Sequence, residues 1–189
     1  MVVGDCVGHG LDAATTMGQL RSAARALLLE GHDPATVLEQ LDVFSASIPG
    51  AYATSVVCAI IDRAGATVSY SRAGHLPGLL VDHEGVHWLD GAAGAPLEVL
   101  PAIRRPLATA GYHDGDLLLL YTDGLVERRG EVLDVGLDRL AEAARRWYDR
   151  GVSVHQLADG VLRDLLPTRR DDDVALVAKR LVVDVVPPT

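Results

Sequence analysis

Cysteine, lysine and long apolar runs are scarce in this chain of 189 residues, and each scarcity excludes a class of protein. The two cysteines, Cys6 and Cys58, form no CxxC pair or Cys/His cluster that would indicate a zinc site. Each falls inside an apolar run, so we expect buried, reduced thiols and a cytoplasmic protein. No apolar run is long enough to cross a membrane, and the first residues lack the pattern of a signal peptide.

Basic residues are outnumbered by acidic ones. The chain has 17 Lys and Arg residues, of which only Lys179 is lysine, against 26 Asp and Glu residues, for a formal net charge of -9. A nucleic-acid groove needs clustered basic side chains, so we expect no nucleic-acid partner, and the short apolar runs predict no membrane partner. A hydrophobic content of 49% still predicts one domain with a substantial core.

Several common catalytic and nucleotide-binding motifs are missing as well. The early glycines are not followed by the Gly-Lys-Ser/Thr of a P-loop, and their spacing is not the GxGxxG of a dinucleotide-binding domain. Neither an HExxH zinc motif nor a GxSxG nucleophile elbow occurs. These observations exclude the familiar P-loop, dinucleotide-binding, metalloprotease and serine-hydrolase patterns.

Three short acidic motifs stand out instead, each at the edge of an apolar run that is typical of a strand. They contain Asp5, Asp123 and Asp172 and cover residues 4–10, 122–124 and 171–173. Carboxylates at strand ends can converge across a sheet, and Mg²⁺ or Mn²⁺ prefers such oxygen ligands. Asp-Gly is also a common turn pair, so Asp123 taken alone is better explained as a turn residue than as a ligand. In combination, the motifs predict a metal-dependent phosphoryl hydrolase.

The hydrophobic pattern predicts an α/β fold. Helices are expected at residues 11–30, 34–47, 136–150 and 154–165, with Asp33 and Ser153 as N-caps of the second and fourth. Short turns between apolar runs favour antiparallel strands, expected at residues 1–7, 54–62, 67–72, 78–81, 86–89, 104–110, 117–121 and 174–183. No internal repeat or linker divides the chain.

The motifs and their order resemble the PPM family of metal-dependent serine/threonine phosphatases, in the bacterial branch typified by SpoIIE and RsbU. The family patterns GDxxGHGxxAA, AGHxP, GDxLLLYTDGLxE and DD[VI][AT] are matched by residues 4–14, 73–77, 115–127 and 172–175. The resemblance runs from residue 1 to about residue 182, so we expect a phosphatase domain at 1–182 and a tail at 183–189. It implies an α-β-β-α sandwich of mostly antiparallel sheets flanked by helix pairs.

The resemblance also implies roles for individual residues. Asp5 would bridge two Mn²⁺ or Mg²⁺ ions, and the main-chain carbonyl of Cys6 would complete part of one coordination shell. Asp123 and Asp172 would hold the second ion, whereas Asp173 ranks lower and Asp171 is expected to be a turn residue. The implied reaction is hydrolysis of a phosphoserine or phosphothreonine protein by a metal-activated water. The implied substrate is an anti-sigma-factor antagonist.

For the histidines and glycines of the motifs, structural roles are favoured over chemical ones. His9 could be a general acid, but packing or hydrogen bonding at the helix start is the favoured interpretation. His75 is expected to form structural hydrogen bonds. Gly8 and Gly10 are expected to relieve backbone crowding after the first strand. The other histidines are predicted to be scattered and exposed: His32, His83, His87, His113 and His155.

The chain departs from the family pattern at three points. The upstream GGDxYD motif is absent, Val7 stands where type 2C relatives have histidine, and Glu98 stands where relatives usually have glycine. We therefore expect an N-terminally incomplete domain with a weakened first metal site. Its exposed sheet edges are compatible with a homodimer. The alternative function is a catalytically weak, phosphatase-like regulatory binding module, which metal-dependent turnover would distinguish from an enzyme.

Overall fold

The computed structural model describes residues 1–8, 10–100, 103–166 and 173–184. The chain divides into two units, each with one sheet and one pair of helices. The first unit comprises Met1–Asp62, Thr67–Pro77 and Asp90–Gly111, and the second comprises Arg63–Ala66, Gly78–Leu89 and Tyr112–Thr189. In chain order, the elements are β1 (Val2–Asp5), α1 (Leu11–Leu29), α2 (Pro34–Ser45), β2 (Ser55–Asp62), β3 (Thr67–Ala73), β4 (Gly78–Val81), β5 (Val86–Leu89), β6 (Ala93–Gly94), β7 (Ala108–Gly111), β8 (Leu117–Tyr121), a 3₁₀ turn (Asp123–Leu125), α3 (Leu133–Asp149), α4 (Val154–Leu165) and β9 (Leu176–Arg180).

The sheet of the first unit has the order β1-β2-β3-β6, and β7 also pairs with β3. All of its pairings are antiparallel except the short one between β3 and β6. In the β1–β2 ladder, Asp5 lies opposite Ser55. This pairing fixes the end of β1, where the first acidic motif begins.

The helices of the first unit bury the apolar face that the sequence predicts. On α1, Leu20 and Ala24 are buried, and Met17, Leu27 and Leu28 pack against the same cluster. The second helix begins after the predicted cap, because the Asp33 carboxylate accepts hydrogen bonds from the main-chain N–H groups of Ala35 and Thr36. The apolar cluster that both helices cover also includes residues of α2 and β2: Val37, Leu38, Leu41, Val56 and Cys58.

The second unit contains an antiparallel sheet in the order β5-β4-β8-β9. Every side chain of β8 is buried, which explains its continuous apolar sequence. Ser153 caps α4 through a capping box with Gln156. A Cβ at Gly160 would collide with the Trp147 ring, so glycine permits the close packing of α4 on α3.

The predicted α/β class is confirmed, with two mostly antiparallel sheets and four helices among the described residues. Several predicted boundaries are wrong. The first strand ends at Asp5, α3 begins at Leu133, and the last strand covers only Leu176–Arg180. The predicted strand 104–110 shrinks to β7, because the main-chain N–H of Arg105 donates to Glu39 of α2 and Pro106 has no N–H to offer a ladder. The two-residue strand β6 was not predicted.

Both cysteines are buried and free, as the sequence predicts. None of the helices in the described ranges combines the length and the apolar character that crossing a bilayer requires.

Candidate metal centre

The first acidic motif begins on a strand that leaves no room for a larger residue at Gly4. A Cβ there would lie 2.7 Å from the Ser55 carbonyl oxygen and 2.9 Å from Cε of Met17. The Met17 side chain could move, but the carbonyl oxygen of the paired strand could not do so cheaply. Gly4 therefore allows β1 to lie tightly against β2 and α1, and this packing fixes the backbone that presents the half-buried Asp5.

Cys6 follows Asp5 and is buried in the core of the first unit. Burial raises the pKa of the Cys6 thiol, while the hydrogen bond from Thr54 acts in the opposite direction. The Thr54 hydroxyl lies 3.5 Å from the Cys6 sulfur. The thiol is thus a neutral packing group, so the oxygen of the main-chain carbonyl is the atom of Cys6 suited to a hard cation.

Gly8 and Gly10 are not needed to avoid atoms from other parts of the structure. A Cβ at either position would have nothing within 4 Å. Both residues instead have positive φ angles, 105° at Gly8 and 85° at Gly10, in the region that favours glycine. Gly10 is also the N-cap of α1. The glycines therefore set the direction of the chain between β1 and α1, and His9 between them lies outside the described residues.

The second acidic motif follows β8 directly. Asp123 opens the 3₁₀ turn, its Oδ1 accepts a hydrogen bond of 2.8 Å from the Gly124 N–H, and its carbonyl accepts from Val126 and Glu127. The interpretation of Asp123 as a turn residue is therefore confirmed. The residue is half-buried at the end of a fully buried strand, where its carboxylate would be held firmly for a ligand role.

Thr122 connects this strand end to the chain that enters β9. The buried hydroxyl accepts a hydrogen bond of 2.9 Å from the Ala175 N–H and donates one of 3.4 Å to the Asp173 carbonyl. The Thr122 N–H also donates to the Ala175 carbonyl, at 3.0 Å. Sequence reasoning missed this residue, although its place immediately before Asp123 in the motif was a usable signal.

Asp171 and Asp172 lie outside the described residues. The main-chain carbonyl of Asp173, the next residue in the chain, lies 3.4 Å from the hydroxyl of Thr122, the residue before Asp123. Within the described ranges, no group of three or more His, Cys, Asp and Glu side chains is arranged to hold a metal ion. The donors of the motifs nevertheless fit Mg²⁺ or Mn²⁺, because they are carboxylate and carbonyl oxygens and the one thiol among them is buried and protonated.

His75 has the structural surroundings that the sequence analysis expects. It is buried, its Nδ1 lies 3.1 Å from the Leu76 carbonyl oxygen, and its own carbonyl accepts a hydrogen bond of 2.9 Å from Arg72. Arg72 also donates to the carbonyls of Asp90 and Gly91. The AGHxP segment is therefore held in place by a buried arginine of β3.

The prediction that the remaining histidines are scattered is wrong for two of them. The rings of His83 and His113 lie 6.0 Å apart in an edge-to-face arrangement, and His87 Nε2 lies 3.0 Å from an Asp82 carboxylate oxygen. Burial acts to raise the pKa of Asp82, but hydrogen bonds from the Gly85 and Glu84 N–H groups, together with His87, lower it below its ordinary value. The three histidines are exposed, as predicted. His83 and His113 meet because the β4–β5 turn lies beside the loop before β8.

A family model described as "Stage II sporulation protein E (SpoIIE)" matches residues 1–182. The chain is 26% identical over 132 residues to the phosphoserine phosphatase RsbP of Bacillus subtilis (strain 168), which covers 67% of this chain and 33% of RsbP. The solved RsbU and RsbW domains of Rv1364c from Mycobacterium tuberculosis share 31% identity with a TM-score of 0.88, over 98% of this chain and 53% of that chain. RsbX, solved in complex with magnesium, is 17% identical with a TM-score of 0.66, over 94% of this chain and 78% of RsbX, and so shares the fold alone.

These similarities define a PP2C-type serine/threonine phosphatase domain. The chain belongs to the SpoIIE family. It spans only a third of RsbP and about half of the Mycobacterium tuberculosis chain, at 33% and 53% of their lengths.

Proposed function

We propose that this chain hydrolyses phosphoserine or phosphothreonine in a protein, with a metal-activated water as the nucleophile. The observation that carries the proposal is the family match over residues 1–182, together with the positions of Asp5 at the end of β1 and of Asp123 in the turn after β8. Both strands are pinned by neighbouring strands, so their carboxylates have the rigid support that a catalytic metal site requires.

The metal ligands that we propose are Asp5, the Cys6 carbonyl, Asp123 and Asp172. When bound, two Mn²⁺ or Mg²⁺ ions would lower the pKa of a shared water and offset the charge of the substrate phosphate. By resemblance to the family, Asp5 would be a ligand of both ions. Thr122 is proposed to position a ligand and not to be one itself. Its hydroxyl bonds to the main chain at Asp173 and Ala175, immediately after Asp172.

The substrate that we propose is a phosphorylated anti-sigma-factor antagonist. This proposal follows from the resemblance to the RsbU and SpoIIE branch, and the name of RsbP as a phosphoserine phosphatase supports the choice of phosphoserine. The acidic net charge of -9 also disfavours a polyanion such as nucleic acid as the physiological phosphate ester.

Calorimetric titration with Mn²⁺ tests the ligand assignments. We expect Asp5→Asn, Asp123→Asn and Asp172→Asn each to weaken binding, with Asp5→Asn the most severe because a bridging ligand serves two ions. Asp90→Asn is the matched control, since Asp90 is exposed and also precedes a glycine but has no proposed role. Wild-type affinity in all three ligand variants would contradict the proposed site.

Turnover of a phosphoserine protein with Mn²⁺ tests the activity separately. If release of phosphate depends on the metal, is lost in Asp5→Asn and is kept in Asp90→Asn, the result supports the proposal that the chain is an enzyme. Metal binding without turnover, accompanied by tight binding of the phosphoprotein, would instead favour the regulatory binding module.

A further inference from the structure

Tyr52 is an exposed aromatic side chain in the first unit. It is 62% exposed, whereas the other four of the five tyrosines in the chain are buried or half-buried. A single exposed apolar side chain is ordinary on a protein surface, so exposure alone does not indicate a role. The significance of this ring depends on how the backbone holds it and on what lies beside it.

The turn that carries Tyr52 is held firmly at both ends. It begins at Ala51 and ends at Thr54, whose N–H donates to the Ala51 carbonyl at 3.2 Å, and neither of these two residues has exposed surface. The Thr54 hydroxyl donates to the same carbonyl at 2.7 Å. The Ala53 N–H donates to the Leu97 carbonyl, and the Leu97 N–H donates to the Thr54 carbonyl, each at 3.0 Å. The backbone that presents the exposed ring is therefore rigidly supported.

The same turn contains a strained residue. Ala53, its third residue, has a φ of 61°, in the left-handed region that favours glycine. Turns with a positive φ at this position usually have glycine or asparagine there. Strained residues persist only where the surrounding structure holds them, and they are concentrated at binding and catalytic sites. The strain is thus consistent with a functional role for the turn.

The turn leads directly into the strand that pairs with the first acidic motif. Ser55, the first residue of β2, lies opposite Asp5, and the Thr54 hydroxyl lies 3.5 Å from the Cys6 sulfur. Paired residues of antiparallel strands lie about 5 Å apart and three positions of chain span at most about 11 Å, so the Cα atoms of Tyr52 and Asp5 lie within about 16 Å of each other. An extended peptide spans that distance in about five residues.

We propose that Tyr52 is a specificity-determining residue that packs against the polypeptide beside the phosphorylated residue of the substrate protein. This inference rests on the proposed function, because it takes Asp5 as part of the site where the substrate phosphate binds. An apolar side chain within about five positions of the phosphoserine would cover the ring, which exposes on the order of 100 Å². Val7, two residues after Asp5, is 69% exposed and offers a second apolar contact.

Non-hydrolysable phosphonate peptides test the contact without requiring turnover. One peptide carries leucine at the positions that flank the phosphonate, and a matched peptide carries glycine there. Fluorescence anisotropy measures the affinity of each peptide for the full chain in the presence of Mn²⁺. We expect the leucine peptide to bind about tenfold more tightly, a difference of about 1.4 kcal/mol. Equal affinities, or no binding of either peptide, would overturn the proposal.

Variants locate the contact at Tyr52. Tyr52→Ala removes the ring and should abolish the preference for leucine, whereas Tyr52→Phe keeps the ring and should retain the preference. Phe44→Ala is the matched control, because Phe44 is also an exposed aromatic residue, at 40%, but lies on α2. A preference that survives in Tyr52→Ala, or that disappears equally in Phe44→Ala, would refute the assignment.

Hydrolysis of p-nitrophenyl phosphate with Mn²⁺ distinguishes this inference from the proposed function. The ester has no polypeptide to contact Tyr52, so its kcat/KM should be unchanged in Tyr52→Ala. An equal loss with this ester would show that Tyr52 supports the structure of the site and does not select the substrate. If the wild-type chain hydrolyses neither this ester nor a phosphopeptide, the proposed hydrolysis is wrong, and the phosphonate affinities still decide whether Tyr52 contacts the peptide.

Discussion

Replacing Thr122 by valine separates the positioning of a proposed metal ligand from the stability of the fold. Valine has nearly the shape of threonine, so the change removes the hydroxyl and little else. The Ala175 N–H then loses its side-chain acceptor at 2.9 Å, and the weaker contact of 3.4 Å with the Asp173 carbonyl is lost too. Thr122→Ser keeps the hydroxyl and is the conservative control.

The expected loss of stability is small. One hydrogen bond of ordinary length contributes about 0.5–1.5 kcal/mol net, and the bond of 3.4 Å adds little to that. For a chain of this size, 1 kcal/mol corresponds to a shift in melting temperature of roughly 2–4 °C. Thermal unfolding of Thr122→Val should therefore show a decrease of that size.

The expected loss of activity is much larger. The hydroxyl holds the chain mainly through the Ala175 N–H and also contacts the Asp173 carbonyl, immediately after the proposed ligand Asp172. A misplacement of about 1 Å can reduce turnover on the order of a hundredfold. We expect Mn²⁺-dependent hydrolysis to fall strongly in Thr122→Val and to recover in Thr122→Ser. If the valine variant loses stability as expected but keeps full turnover and Mn²⁺ affinity, Thr122 is only a structural residue.

Further predictions concern the last acidic motif, a strained residue and the metal. Asp172→Ala should abolish turnover, Asp171→Ala should be nearly silent because it lies outside the matched motif, and Asp173→Ala should fall between them. Steady-state kinetics would show this, and equal losses at Asp171 and Asp172 would contradict the assignment. Glu98 has a φ of 64°, in the left-handed region that favours glycine. Glu98→Gly should therefore be more stable than Glu98→Ala by about 0.5–1 kcal/mol, because the cost of about 1–2 kcal/mol for a side chain in this conformation exceeds the cost of the added chain entropy of glycine. Urea unfolding measures the difference, and a less stable glycine variant would show that the backbone at this position is not strained. Removing divalent cations with a chelator should stop turnover and lower the melting temperature, and restoring Mn²⁺ should reverse both effects.

Elements whose boundaries depend on local chemistry were predictable from sequence. Asp33 and Ser153 mark the starts of α2 and α4 through hydrogen bonds that each side chain makes within its own first turn. The strands Gly78–Val81 and Leu117–Tyr121 were predicted to the residue, since each is an apolar run bounded by turns. Elements that depend on distant partners were not. The strand β6 exists because Ala93 and Gly94 lie beside β3, and β7 is short because Arg105 bonds to α2.

The candidate site was predictable where local sequence determines it, and not where it depends on distant residues. The apolar runs predict that the acidic motifs of Asp5 and Asp123 lie at the edges of strands. In the structure Asp5 is the last residue of β1, and Asp123 opens the turn after β8. The role of Thr122 depends on hydrogen bonds to residues more than 50 positions away, at Asp173 and Ala175, and no local pattern encodes them. The meeting of His83 with His113 is likewise a consequence of how two loops of the second unit approach each other.

The burial of both native thiols makes the protein well suited to site-specific labelling. Cys58 has no exposed surface, and burial raises its pKa to about 11, while burial also raises the pKa of Cys6. Thiol reagents attack exposed thiolates, so neither residue competes with a cysteine introduced on the surface. A dye at Glu30→Cys in the first unit, or at Asp149→Cys in the second, would therefore be the single label on an otherwise native chain, and would report on its own unit when Mn²⁺ or a phosphoprotein is added.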